Sequence, residues 1–235
     1  MFLFYSTDVN QGHVILQKEE HTHCKKVLRK SVGDTLYITD GRGNIFLCKI
    51  ESFQKESTTC QIVETTLHTE LLPKTAIAIA PVKNMARIEW FLEKATEIGI
   101  SEIQIIMTQR SEKKSIKLER LEKIIVSAMK QSLKAHLPQL LFFDSLKACL
   151  EYNYEKYEDK FIGYCEENQR YLHEVASPEK DTIVLIGPEG DFTEEEVELA
   201  KNIGFASISL GKTRLRTETA GLVALMTQRL KANNL

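Results

Sequence analysis

Ile186-Gly187-Pro188-Glu189-Gly190-Asp191-Phe192 and Leu210-Gly211-Lys212-Thr213-Arg214-Leu215-Arg216-Thr217-Glu218-Thr219-Ala220 are the two stretches that decide the fold. Each follows an apolar, β-branched run, Thr182-Ile183-Val184-Leu185 in one case and Ala206-Ser207-Ile208-Ser209 in the other, and each precedes a helical pattern. Loops so placed lie at the C-terminal ends of strands in an open α/β sheet, where such sheets bind ligands. Their glycines let backbone approach a ligand closely, Pro188 stiffens its turn, and the carboxylates and arginines supply directional polar groups.

Upstream of these loops the same alternation continues. Strands are expected at 75–80, 103–107, 161–165, 182–186 and 206–210, with helices at 87–98 and 117–135, which is an α/β pattern with a mostly parallel sheet. Ile88, Phe91, Leu92, Ala95 and Ile98 recur at helical spacing and Gly99 supplies a left-handed stop. Thr193 and Glu196 form a capping box, and Thr217 is read as the N-cap of the last helix. Residues 1 to about 70 differ: short alternating strands near 1–5, 13–16, 35–39, 45–50 and 59–63 are separated by turn signals such as Asp40-Gly41-Arg42-Gly43-Asn44. This predicts a small β-barrel carrying a short basic helix over 20–30, and two domains, 1–72 and 73–235.

The composition of the 235 residues, 43% hydrophobic and 27% charged with a net charge of −2, is that of a soluble globular protein. No apolar run reaches the roughly 20 residues that span a bilayer, and the N-terminal Met1-Phe2-Leu3-Phe4-Tyr5 lacks the features of a signal peptide, so a cytoplasmic address and no membrane partner are expected. Cys24, Cys48, Cys60, Cys149 and Cys165 are far apart and odd in number, which predicts free thiols. His21, His23 and Cys24 have no partner pair at zinc spacing, so no metal is expected. Charge is unevenly spread: residues 109–136 hold eight Lys/Arg, Lys113 and Lys114 among them, against three acids, while residues 151–199 hold fifteen acids against four Lys/Arg. The first segment is a candidate phosphate-facing surface, or else an ordinary solvated helix.

Neither Gly-x-Gly-x-x-Gly nor a Walker sequence is present, so a nucleotide-like ligand would be held through the backbone of the two glycine turns instead. These turns, with the Leu-Arg-Thr-Glu-Thr-Ala run of 215–220, closely resemble the SPOUT methyltransferases, and within them the 16S rRNA uridine-N3 methyltransferases of the RsmE type. His23 to Arg29, Lys83, Arg87, Lys94-Ala95-Thr96-Glu97-Ile98-Gly99, Arg110-Ser111 and Gln131-Ser132 also match the family in order. The likeness covers nearly the whole chain and departs from the usual pattern at Asp191 and Thr213.

The resemblance implies a PUA-like barrel, a SPOUT α/β domain with a trefoil knot, a homodimer, S-adenosyl-L-methionine as cofactor, and 16S rRNA or the small ribosomal subunit as partner. Cofactor contacts are implied for Ile186, Gly187, Pro188, Glu189, Gly190, Leu210, Gly211, Leu215, Thr219 and Ala220. Arg216 is the candidate stabiliser of a uracil anion, and Glu218 either orients Arg216 or takes the N3 proton. RNA contacts are expected from His23, Lys25, Lys26, Arg29, Arg42, Lys83, Arg87, Arg110, Lys130 and Gln131, while Trp90 is expected to be a half-buried packing residue. The alternatives are a non-catalytic rRNA-binding protein, or an RNA methyltransferase of 2′-hydroxyl or N1-guanine specificity.

Overall fold

Three strands of the larger unit, Thr75–Ile79, Glu102–Ile106 and Thr182–Ile186, are buried at every position, as parallel strands covered on both faces are. The computed structural model describes residues 2–112, 116–164 and 169–233; Met1, Lys113, Lys114 and Cys165 lie outside the described residues. By its internal contacts the chain divides into two units, Met1–Glu70 with Val126–Leu137, and Leu71–Ile125 with Pro138–Leu235.

In the first unit, β1 (Leu3–Tyr5), β2 (Val9–Asn10), β3 (His13–Gln17), β4 (Thr35–Thr39), β5 (Asn44–Phe53) and β6 (Ser57–Leu67) form one sheet of order β1-β4-β5-β6-β3-β2. All neighbours are antiparallel except β1 and β4. Inward residues such as Val14, Leu16, Ile38 and Ile50 are buried, each contributing about 1.5–3 kcal/mol. Between β3 and β4 the basic segment forms α1 (Lys18–Thr22) and then a π-helical turn, His23–Val27, closed by Leu28 N donating to His23 O at 2.9 Å.

The second unit contains β7 (Thr75–Ile79), α2 (Met85–Ile98), β8 (Glu102–Ile106), β9 (Gln139–Phe143), α4 (Leu146–Asn153), β10 (Asp159–Gly163), α5 (Leu172–Val175), β11 (Thr182–Ile186), α6 (Glu194–Asn202), β12 (Ala206–Ile208) and α7 (Thr217–Lys231). Its sheet is parallel throughout, in the order β12-β10-β11-β7-β8-β9. Strand β9 and helix α4 were not anticipated. Helix α2 starts two residues earlier than expected because the Asn84 side chain accepts from Ala86 N at 3.1 Å, and it stops at Gly99, whose φ of 103° is left-handed.

Helix α3 (Leu118–Gln131) ends sooner than the expected 135, and the residues from Val126 on group with the first unit. There Ala135 O accepts from Gly43 N at 3.0 Å and from Thr39 Oγ1 at 3.2 Å, and Leu137 N donates to Gly41 O at 2.9 Å. These bonds take the backbone out of the helical ladder. Cys24, Cys48, Cys60 and Cys149 are free and buried, and burial pushes the Cys48, Cys60 and Cys149 thiols up to about 12, so they are inert packing groups. Among the described residues no helix is long and apolar enough to cross a membrane.

Candidate active site

The two loops converge because β11 and β12 both pair with β10, so their C-terminal ends lie on one edge of the second unit. Ile186, Gly187, Pro188, Glu189, Leu210, Gly211, Leu215 and Ala220 line a single cavity of about 500 Å³, together with Arg216. Small-ligand sites commonly span about 300–1,000 Å³. Gly163 and Tyr164, at the end of β10, line it too, as do Ile208, Ser209, Thr213, Arg214 and Thr217. The sequence reading missed Gly163 and Tyr164, although the strand-end rule that selected the other two loops applies equally to β10.

Local chemistry holds each loop in place. Thr193 Oγ1 accepts from Glu196 N, and Glu196 Oε2 accepts from Thr193 N at 2.9 Å, completing the expected capping box behind the first loop. Glu196 Oε1 also accepts from Gln109 N at 2.8 Å. Asp191 sits at φ 62°, a left-handed conformation that Asp tolerates better than most residues, and its Oδ1 accepts from Phe192 N at 2.8 Å. The departure from glycine at 191 therefore leaves the turn intact. In the second loop Gly211 has φ 146°, and its N–H donates to Ser209 Oγ at 3.3 Å.

Several expected roles change. Gly190 is not part of the cavity wall; a Cβ there would meet the Arg110 side chain at 3.4 Å. Arg110, expected on RNA, donates from Nη1 to the carbonyls of Gly190 at 2.7 Å and Phe192 at 3.2 Å, and so braces the loop. The N-cap of α7 is Arg216, extended at φ −74° and ψ 156°, and Thr217 is the first helical residue, freed from capping and facing the cavity.

Glu218 and Thr219 do not line the large cavity but a smaller recess of about 370 Å³, with Ala86, Arg87, Trp90 and Arg216. Because Arg87 and Arg216 belong to both, the two spaces adjoin. Glu218 lies in the first turn of α7, where the helix dipole favours a carboxylate. Its Oε1 is 3.8 Å from Arg87 Nε, so its ion-pair partner is Arg87 and not Arg216. Two features set α2 and α7 side by side. Gly221 packs so tightly on Phe91 that a Cβ would lie 2.7 Å from the ring, and buried Arg229 donates to Pro73 O at 3.0 Å and to Gly99 O at 2.5 Å. Trp90 is 45% exposed, half-buried as expected, and lines the smaller recess.

In the first unit, Lys25, Lys26, Arg29 and Arg42 are exposed, with the Lys25 ammonium 5.4 Å from the centre of the Phe53 ring. His23 packs edge-on against Phe4 at 5.7 Å. Lys130, an expected RNA contact, is half-buried and paired with Glu20, whereas Gln131 is exposed. In the second unit Lys83 is exposed and lies 3.7 Å from Glu112. Among the described residues no cluster of His, Cys, Asp or Glu is arranged to hold a metal ion.

Comparison with known proteins agrees with this architecture. Residues 70–228 match the RNA methyltransferase domain family, and residues 16–63 match the RNA methyltransferase PUA domain. The chain is 29% identical over 222 residues to the ribosomal RNA small subunit methyltransferase E of Rickettsia conorii, covering 92% of this chain and 88% of that one. A crystal structure of a "probable rRNA-methyltransferase" from Porphyromonas gingivalis is 40% identical with a TM-score of 0.90, covering 99% of both chains. The ribosomal RNA small subunit methyltransferase E of Neisseria gonorrhoeae, solved bound to S-adenosyl methionine, is 25% identical with a TM-score of 0.86, covering 98% of this chain and 97% of that one. The chain belongs to the RNA methyltransferase family, with its PUA domain preceding the methyltransferase domain.

Proposed function

We propose that this chain transfers the methyl group of S-adenosyl-L-methionine to the N3 ring nitrogen of a uridine in 16S rRNA, free or within the small ribosomal subunit. The observation that carries the reading is the adjacency of two spaces, a strand-end cavity suited to a cofactor and a recess containing a buried carboxylate and two guanidinium groups. The relatives named for small-subunit rRNA, one of them solved with S-adenosyl methionine, support both halves.

The residues of the cavity fit this cofactor. Ile186, Ile208, Leu210 and Leu215 offer apolar faces to a flat heterocycle, the turns at Gly187 and Gly211 offer backbone polar groups to its edge, and Glu189 offers negative charge to an ammonium. When bound, the sulfonium supplies a methyl carbon that the N3 lone pair attacks as the carbon–sulfur electron pair leaves with sulfur. The protein's tasks are to align the nitrogen and to deprotonate it. Glu218 accepts the N3 proton and passes it to solvent, and Arg216, with its fixed planar fork, stabilises the negative charge left on the ring.

RNA is held by Lys25, Lys26, Arg29, Arg42 and His23 in the first unit, and by Lys83 and Arg87 in the second. The target base must be unpaired or flipped out to reach the site. A homodimer and a trefoil knot, which rest on the resemblance, and a functional division near residue 72 and a cytoplasmic address, which rest on the sequence pattern, complete the proposal.

Calorimetric titration with S-adenosylhomocysteine tests the enzyme reading. Micromolar binding, about −8 kcal/mol, is expected. No binding by the folded protein would favour an RNA-binding protein without catalysis.

A further inference from the structure

The smaller recess contains an unsatisfied group. Glu218 is only 6% exposed, its Oε1 faces Arg87, and its Oε2 has no hydrogen-bond partner among the described residues. A buried carboxylate oxygen left unpaired is costly, and its presence calls for a partner that arrives from outside the chain. Arg216 also has no hydrogen bond or ion pair from its guanidinium among the described residues. Trp90, three residues after Arg87 on α2, stands on the same helix face at the rim of the recess. The recess therefore offers one acceptor, two planar cationic donors and one exposed aromatic surface.

The hydrogen-bonding edge of uracil is the complement of that set: a carbonyl acceptor, the N3–H donor, and a second carbonyl acceptor. We propose that this recess is the target-base pocket, in which Glu218 Oε2 accepts from N3–H, Arg87 and Arg216 donate to the two flanking carbonyls, and Trp90 stacks on the ring. The inference rests on the proposed function and deepens it, because it states what makes the site choose uracil. Cytosine has a bare N3 lone pair and an amino donor on the same edge. It would set a lone pair against the carboxylate and an N–H against a guanidinium, leaving buried groups unpaired. Sites built on such pairing reject the mismatched analogue strongly, by up to about 10⁴–10⁵.

Trp90 is the chain's single tryptophan, so its fluorescence reports on this recess alone. The full chain saturated with S-adenosylhomocysteine is titrated with an RNA fragment carrying the uridine it methylates, located beforehand by mass spectrometry, and with the same fragment bearing cytidine there. RNA binding is followed independently by anisotropy of a labelled RNA end. The uridine fragment should quench Trp90 saturably and the cytidine fragment should bind without quenching it. Glu218→Gln should keep its affinity for S-adenosylhomocysteine but narrow the difference between the fragments. Trp90→Ala should raise KM for the RNA about tenfold with kcat little changed, and Trp90→Phe should restore it. Equal quenching by both fragments, or none while the protein binds cofactor and methylates RNA, would overturn the pocket and leave the methyltransferase reading standing. Failure to bind S-adenosylhomocysteine would strike that reading first, and the pocket with it.

Discussion

One guanidinium spans the turn after β11: Arg110 Nη1 donates to Gly190 O at 2.7 Å and to Phe192 O at 3.2 Å. The side chain is exposed, so each bond contributes modestly, but together they hold the loop that carries Pro188 and Glu189. Arg110→Ala should weaken S-adenosylhomocysteine binding about fivefold, about 1 kcal/mol, in calorimetry. The salt dependence of RNA binding should not change. A flatter salt slope with normal cofactor affinity would return Arg110 to the RNA surface.

The glycines of the two loops should separate in the same assay. Gly211 has open space around it but a φ of 146°, a region that costs a β-branched residue about 1–3 kcal/mol. Gly211→Val should reshape the turn and weaken S-adenosylhomocysteine binding at least tenfold, about 1.4 kcal/mol. In Gly190→Ala the new methyl meets only the Arg110 side chain at ordinary contact distance, so affinity should stay within about threefold. Equal losses in both would place Gly190 in the cavity wall after all.

Proton removal and anion stabilisation respond differently to pH. Uracil N3 is protonated at neutral pH and ionises unaided as pH rises, so the defect of Glu218→Gln in single-turnover methylation should shrink toward alkaline pH. Arg216→Lys keeps the charge but loses the planar fork, and should slow the step by about 10²–10³. Rates from about pH 6.5 to 9.5 at saturating cofactor measure both. A Glu218→Gln defect that is constant over that range would make Glu218 an organiser of the site instead of its base.

Lys25 and Lys26 lie within the π-helical turn, Arg29 follows it, and all three are exposed. Their joint replacement by alanine should lower RNA affinity and reduce the slope of log K against log salt by about 2, if all three meet phosphates. Cofactor affinity should be unchanged. An unaltered slope would show that these cations face away from the RNA.

What the sequence made legible was local. The apolar run of β11 identified a buried strand, Gly99 a helix stop, and Thr193 with Glu196 a helix start, because each signal lies within a few residues of the feature it sets. The cavity followed from two such strand ends. Strand β9 escaped notice because its apolar run, Leu140-Leu141-Phe142-Phe143, is only four residues long, which periodicity alone does not distinguish from a helix segment, and it lies half-exposed at the edge of the sheet. The remaining features depend on contacts distant in sequence. Arg110 reaches the turn at 190, Arg87 meets Glu218, and Ala135 bonds to Thr39 and Gly43, pairings no local pattern encodes. Capping propensity misplaced the start of α7 by one residue, since Thr217 is a better cap by type than Arg216 yet is the first helical residue.

Nucleoside mass spectrometry reads which atom of the RNA receives the methyl group. The purified protein is incubated with S-adenosyl-L-methionine and small-subunit rRNA from a strain deleted for its gene, and the RNA is digested to nucleosides and compared with standards. One 3-methyluridine per rRNA molecule is expected, absent without protein and restored by it. Methylation of a ribose 2′-hydroxyl or of guanine N1, or none by protein that binds S-adenosylhomocysteine, would contradict the proposed function.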